Sequence, residues 1–454
     1  MSPPHLLRDR KFWPLFWTQF CGAFNDNVFK FALIGLIITH ARDIKVLGLD
    51  STGLQALASG LFILPFFLFS ATAGQFADKY DKATLIRLIK IFEIGVMSLA
   101  VVGFLGKSIV FLMLVLFLMG LQSTLFGPIK YSILPQHVDE SRLTEANGYV
   151  EMGTFIAILV GTIIGTSFIE IDGYGPYVIC SAIIAIAILG YGFSRAIPDA
   201  PASDPHFKIS FNILMRTVEQ VKHAFEQRTV FYAILGISWF WFVGAVLLTV
   251  IQPLATETLH GQLGLRLVLL TCTTVGIGVG SVVCGRLAHG KLSNHLVPIG
   301  AIGISLFGAD LYFSSNALVN QLHIHGLAPH TLVTMSTLFE SFQTYRLLAD
   351  LFLFGIFGGF YIVPLYVILQ LESPAASRSR NIAVNNIMNA LFMVISAMMI
   401  IGLELGGYSI GEILLITAGL NALLCSLFFI VQPMYVRAFA DFVRAKLKRD
   451  QMDG

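Results

Sequence analysis

The stretch AGQFADKYDK, residues 73–82, crowds two aspartates and two lysines between long apolar runs, 53–77 on one side and 84–105 on the other. Each run is long enough to cross about 30 Å of hydrocarbon as a helix of about 20 residues. The charged stretch is therefore the short turn between two membrane spans. Working outward, the same alternation of apolar run and short polar turn continues to both ends. The further runs are 12–39, 108–134, 143–169, 175–195, 229–254, 264–288, 295–314, 347–370, 380–403 and 409–435. Barrel strands would be about 10 residues long and strictly alternating. The expectation is an all-α membrane protein of twelve transmembrane helices.

Composition agrees. Of 454 residues, 56% are hydrophobic and only 12% charged, with a mean hydropathy of +0.78, whereas a soluble domain carries roughly 25% charged residues. If both termini are cytoplasmic, twenty-two of the 29 basic residues fall in inside segments, among them Arg8, Lys79, Lys82, Lys130, Arg228, Lys291 and Arg380. Outside segments keep Arg42, Lys45, Lys107, Arg266 and Arg346, and Lys30 and Lys90 lie within helices. Such a bias fixes orientation. It also explains the basic residues without a nucleic-acid partner. The first apolar run is too long for a signal-peptide core and lacks a small-residue cleavage site. Cys21, Cys180, Cys272, Cys284 and Cys425 stand alone in apolar helices, which points to packing and to neither a metal nor a disulfide framework.

Residues 196–228, opening IPDAPASDP, divide six helices from six. Phe211, Leu214, Val218, Val221 and Phe225 recur at steps of three and four with Arg216, Lys222 and Arg228 between them, the pattern of an amphipathic helix on the cytoplasmic surface. The halves also repeat each other. AGQFADKYDK corresponds to CGRLAHGK (284–291), GPIKYSILP (127–135) to VPLYVILQ (363–370), and Asn147 with Glu151 to Asn385 with Asn389. Matches in the same order at the same helix numbers indicate duplication. The domains expected are a lobe at 1–195, a linker at 196–228, a second lobe at 229–436 and a basic tail at 437–454, giving two pseudo-symmetric six-helix halves.

The first loop resembles the signature of the major facilitator superfamily: a Gly, three intervening residues, an Asp, then basic residues, here Gly74, Asp78, Lys79 and Lys82, with Asp81 where that pattern has Gly. In that superfamily the loop is a gate latch whose Asp pairs across the halves. That role is carried to Asp78. QFCGAFNDNVFK (19–30), FGPIKYSILP (126–135) and LTEANGYVEMGTFIAILVGT (143–162) further resemble the superfamily's lysophospholipid transporter branch. The resemblance implies inward movement of lysophospholipid, chiefly lysophosphatidylethanolamine, across the bacterial inner membrane. It also implies re-acylation by a separate acyltransferase on the cytoplasmic side, contact with membrane lipids, and a monomer that needs no cofactor.

The residues themselves point to a polar site. Asn25, Asp26, Asn27 and Lys30 interrupt an apolar helix, and polar groups buried in a bilayer are costly. Asp26 is about fourteen residues in, or about 21 Å. Asp26 and Lys30, four apart, share a helix face and can pair. A carboxylate and a cation suit a zwitterionic headgroup. Lys130 with Tyr131, beside Pro128, and the i, i+4 pair Asn147 and Glu151 complete the substrate-binding candidates; Glu151 and Lys130 fall at similar depth. Lys30 and Lys130 have a second reading as snorkelling residues. Gly161 and Gly165 suit close helix packing. LFGIFGGFYIVPLY (353–366) suits either an acyl chain or a helix partner, and Arg346 and Asp350 are again four apart. No His has an Asp five residues later, which excludes the acyltransferase chemistry of fused relatives. A rival on the same fold is an exporter of drugs or small amphiphilic metabolites with Asp26 as proton or cation site.

Overall fold

The structure is a computed structural model and describes residues 5–39, 49, 51–288, 293–324 and 332–450. The sequence positions Arg42, Lys45 and 289–291, the end of the second charged loop, lie outside the described residues. Fourteen principal helices follow in chain order. They are α1 (Trp13–Thr39), α2 (Ser51–Lys79), α3 (Lys82–Leu105), α4 (Ile109–Ser132), α5 (Leu143–Ile169), α6 (Gly175–Ser194), α7 (Ile213–Glu226), α8 (Arg228–Pro253), α9 (Leu263–Leu287), α10 (Leu296–Gln321), α11 (Phe342–Glu372), α12 (Arg378–Leu405), α13 (Ile410–Val431) and α14 (Pro433–Asp450). Twelve of them, all but α7 and α14, are long and apolar enough to span a membrane. No strand forms among the described residues; an isolated bridge joins Gly261 and Val333. Large apolar residues such as Leu88, Val102, Leu114 and Ile302 are exposed on the outer faces of the spans. Facing lipid, they incur no cost.

Local chemistry sets the ends. Asp81 caps α3 by accepting from the Thr84 amide at 2.7 Å, and Ser409 with Glu412 forms a capping box on α13. The expected ninth span at 295–314 runs on to Gln321. Ser315 does not interrupt it, because its hydroxyl is satisfied on its own helix, at the Tyr312 carbonyl. The last span ends at Val431 and the tail expected at 437–454 is helical through Asp450, starting at Pro433, the helix position where a missing N–H costs nothing.

Two compact units form, and neither is a simple half of the sequence. One takes the residues up to Ala146, Ile156–Phe231 and Leu369–Ala390; the other takes Asn147–Phe155, Tyr232–Ile368 and the residues from Leu391 on. After its first turn, α5 thus gives residues 147–155 to the second unit, and the end of α11 with the start of α12 belongs with the first.

In the first unit, Val28, Phe29 and Leu33 of α1 pack with Met97 and Phe104 of α3, Leu112 and Leu116 of α4, and Ile183 of α6. Gly161 and Gly165 of α5 meet α1: a Cβ on Gly161 would stand 2.8 Å from the Asn27 Cβ, and one on Gly165 2.6 Å from the Val28 carbonyl. The close packing expected of these two glycines is present. In the second unit, Gly276 and Gly280 of α9 face Phe352, Gly355, Ile356 and Gly359 of α11 at backbone contact. That is a seam of paired small residues four apart. The 353–366 stretch is thereby committed on its glycine side to a helix partner. Arg346 does not turn to Asp350: its guanidinium forks onto Asp310 of α10 at 2.5 and 3.1 Å.

Candidate functional site

The polar residues of α1 diverge, because neighbours on a helix stand about 100° apart and Asn25 and Asn27 about 200°. Asn25, 1% exposed, donates to Glu93 Oε1 of α3 at 3.0 Å. Asn27 turns its amide back to the Ala23 carbonyl at 2.7 Å, with Gly161 of α5 against it. The two amides therefore do not form one cup around Asp26. Asp26, half-buried, accepts from Ser123 Oγ of α4 at 2.5 Å. Lys30 lies over the rings of Phe31 and Phe62, 4.9 and 5.7 Å from their centroids. The pairing expected between Asp26 and Lys30 gives way to these separate partners, although the two remain one turn apart on one face.

Between α1, α3 and α4 lies a charge cluster that sequence reasoning missed. Glu93, 1% exposed, takes Lys90 Nζ at 2.6 Å, the Asn25 amide at 3.0 Å and the Gln122 amide at 3.1 Å. Its charge is balanced and both its oxygens are occupied. Lys90 is wholly buried, 5.6 Å from the Phe126 centroid, and fits because Gly22 has no side chain: a Cβ there would stand 2.8 Å from Nζ. Ser123 lies 3.2 Å from Gln122 Oε1 as well as beside Asp26, so a hydroxyl with one proton joins the two groups. The depths agree. Asn25 is about 18 Å along α1 from its start, Glu93 about 17 Å along α3, and Gln122 about 15 Å from the end of α4. The signal that would have found the cluster is Lys90 and Glu93 three apart inside an apolar run; Gln122 and Ser123, uncharged, gave none.

Asp26 differs from Glu93 in kind. A carboxylate has about four acceptor positions, and Asp26 uses one, on a hydroxyl, at a half-buried position. It can take further donors without breaking an ion pair. Lys130 reaches over the Tyr131 ring at 4.5 Å, near the C-terminal end of α4, while Asn147 and Glu151 are fully buried in the second unit.

The 73–82 loop holds the start of α12. Asp78, fully buried, accepts from the amides of Ser379 and Arg380 at 3.1 and 3.3 Å and from Arg380 Nε at 3.0 Å. Gly74 allows this approach: a Cβ there would stand 2.8 Å from the Ala383 Cβ and 3.0 Å from the Arg380 Cα. Lys82 donates to Ser203 Oγ at 2.8 Å, and Lys79 lies over Tyr80. Burial pushes the Asp81 carboxyl up, but the amide and hydroxyl of Thr84 and the amide of Ala200 outweigh it and hold it below the usual range. Among the described residues no group of three metal-ligating side chains occurs, and all five cysteines are free.

A family model, the Major Facilitator Superfamily, matches residues 15–397. The chain belongs to the major facilitator superfamily. Within it, the chain is similar to the protein named lysophospholipid transporter LplT of Klebsiella pneumoniae strain 342, 25% identical over 381 residues that cover 82% of this chain and 83% of that one. It is also similar to the protein of that name from Serratia proteamaculans, 24% identical with 82% of each chain covered. The fold is that of the human organic anion transporter MFSD10, TM-score 0.67 at 10% identity over 95% of this chain and 98% of that one. It also matches the fucose:proton symporter FucP of E. coli, TM-score 0.63 at 14% identity over 93% and 98%. The twelve-helix expectation and the superfamily expectation are both met.

Proposed function

We infer that this chain transports lysophospholipids by alternating access. The reading rests on its relatives and on one observation: Asp26, a carboxylate deep in α1 with a single hydroxyl partner, beside a Glu93–Lys90 pair that is already neutral, with both Glu93 oxygens occupied. Asp26 receives the ammonium of a zwitterionic headgroup, and Lys30, one turn outward, its phosphate. Glu93, Lys90, Gln122 and Ser123 hold Asp26 in place. Lys130, Tyr131, Asn147 and Glu151 are the further substrate contacts assigned to α4 and α5.

In this reading the lobes are residues 1–195 and 229–436, with the linker at 196–228, a tail at 437–454 and both termini cytoplasmic. The protein works as a monomer in a bacterial inner membrane. It moves lysophosphatidylethanolamine inward, for re-acylation by a separate enzyme. Gly74, Asp78, Lys79 and Lys82 form the latch, which biases one conformation by its differential contacts. Equilibrium binding to the purified protein tests the substrate class. Labelled lysophosphatidylethanolamine should bind saturably and tetraethylammonium should neither bind nor compete. Saturable binding of the hydrophilic cation alone would replace this reading with the exporter.

A further inference from the structure

The linker helix α7 has three faces, and only two are accounted for by protein. Its inner face is fastened to α2: Gln220, buried, donates to the Ala71 carbonyl at 3.0 Å, and Ala224 beside it is wholly buried. Just before it, Ser210 and Gln75 exchange two hydrogen bonds at 2.9 and 3.4 Å, and Phe211 meets Phe76 at 6.4 Å. One flank, carrying Arg216 and His223, faces a polar cavity of about 260 Å³ that Arg380 also lines. The third face holds Leu214, Met215, Val218 and Phe225, with Phe211 at its head, and is open: Leu214 is 79% exposed and Val218 64%. Val221, read from sequence as part of this stripe, is half-buried instead.

The depth of the attachment identifies what covers the open face. Helix α2 is 29 residues long, about 43 Å at 1.5 Å per residue, against about 30 Å of hydrocarbon. An even overhang of about 7 Å, four to five residues, puts the cytoplasmic boundary of the hydrocarbon near Gln75 and Phe76, where the chain meets α2. The Gln220 bond at Ala71 then lies about 6 Å inside that boundary. Interfacial amphipathic helices bury their apolar face to about 5–10 Å. A helix fastened to the side of a span at that depth has lipid, not cytoplasm, on its outer side. Lys222 falls on the same open face and, exposed, can carry its charge back to the headgroups on its long stem.

We propose that α7 is an embedded strap: it lies in the headgroup and acyl boundary of the cytoplasmic leaflet, apolar face to lipid, with its inner face bound to α2. The occupant of the open face is the leaflet itself. The surface stands on its own geometry, whatever the transporter carries. It also reaches the latch. The segment leading into α7 gives the Asp204 amide to the Asp78 carbonyl at 2.9 Å and sets Phe207 4.1 Å beneath the Arg380 guanidinium. Leaflet engagement therefore stabilises the contacts around Asp78.

Nitroxide scanning of full-length protein in nanodiscs of phosphatidylethanolamine with phosphatidylglycerol tests the strap. Single cysteines are placed from Phe211 to Glu226 in a Cys272→Ser background, since the other four native cysteines are buried. The ratio of oxygen to nickel-chelate accessibility should oscillate with the helix period, peaking several-fold at Leu214, Val218 and Phe225 over Glu219 and Glu226. High nickel accessibility at Leu214 and Val218 would put the helix in water. Exclusion of both reagents there would put a protein, a second copy included, on the stripe. Either result overturns the proposal. Photo-crosslinking of unsubstituted protein with a phospholipid carrying a diazirine in its acyl chain gives an independent reading: adducts should map to Leu214, Val218 and Phe225, and their absence would equally overturn it.

Discussion

Helices α1 and α11 solve the same problem, packing inside a membrane, in opposite ways. Helix α11 contributes Gly355 and Gly359 to a seam with Gly276 and Gly280 of α9, so its association rests on close backbone approach and dispersion. Helix α1 carries buried Asn25 and Asn27 and half-buried Asp26 and Lys30, and is held by hydrogen bonds to α3 and α4. A glycine seam holds helices and does nothing else. A charged cluster holds helices while its charges are paired, and a member left with spare acceptor positions is available to a ligand. In this molecule the saturated member is Glu93 and the spare one Asp26.

The comparison is broken most severely at Lys90. Lys90→Met leaves the Glu93 carboxylate buried without its cation and should cost about 3–5 kcal/mol. That would be read as a large drop in melting temperature of the purified protein. Lys90→Met with Glu93→Met removes both charges and should recover most of the loss. If the single and double variants melt alike, the pair is not what binds α1 to α3. The seam comes next. Gly359→Leu forces a side chain against the α9 backbone and should destabilise by about 1–3 kcal/mol, without altering headgroup selectivity in uptake assays. A changed selectivity would place α11's glycine face in the transport path. The latch should show the smallest effect on stability. Asp78→Asn keeps an oxygen for one of the Ser379 and Arg380 donors but sets its amide nitrogen against the other, so uptake should fall several-fold with lysophospholipid affinity nearly unchanged, because a latch shifts the balance of states. Equal losses of affinity and uptake would remove the latch role.

Twelve spans were legible because a bilayer demands about 20 apolar residues per helix and the chain supplies them with little else. The superfamily was legible from Gly74, Asp78, Lys79 and Lys82 alone, since charges at a span end stand out. Helix ends near Ser314 and Pro433 were misplaced by several residues, because Ser315 hides its hydroxyl on its own helix and proline is as acceptable at a start as at a stop. The site was half legible. Asp26 announced itself, but its partner did not: Ser123 is small and neutral, and which helix Asp26 turns to depends on packing across the unit. Glu93 sat in plain view three residues from Lys90. Its importance comes from Asn25 and Gln122, which meet it from 68 and 29 residues away in the chain. The division of the compact units within α5 and α12 left no local trace at all.

The central claim is that Asp26 works while Glu93 holds, and one measurement tests it most directly: uptake of lysophosphatidylethanolamine into proteoliposomes by Asp26→Asn, normalised to folded protein by its melting curve. Asparagine keeps the size of the side chain and an oxygen for Ser123 but removes the charge. The account predicts a melting temperature close to that of the unsubstituted protein and uptake reduced at least about tenfold, the factor that about 1.4 kcal/mol of lost charge-assisted interaction produces. Uptake at the unsubstituted rate, with the fold intact, would make Asp26 another structural polar group and leave the functional reading of α1 without its carrier.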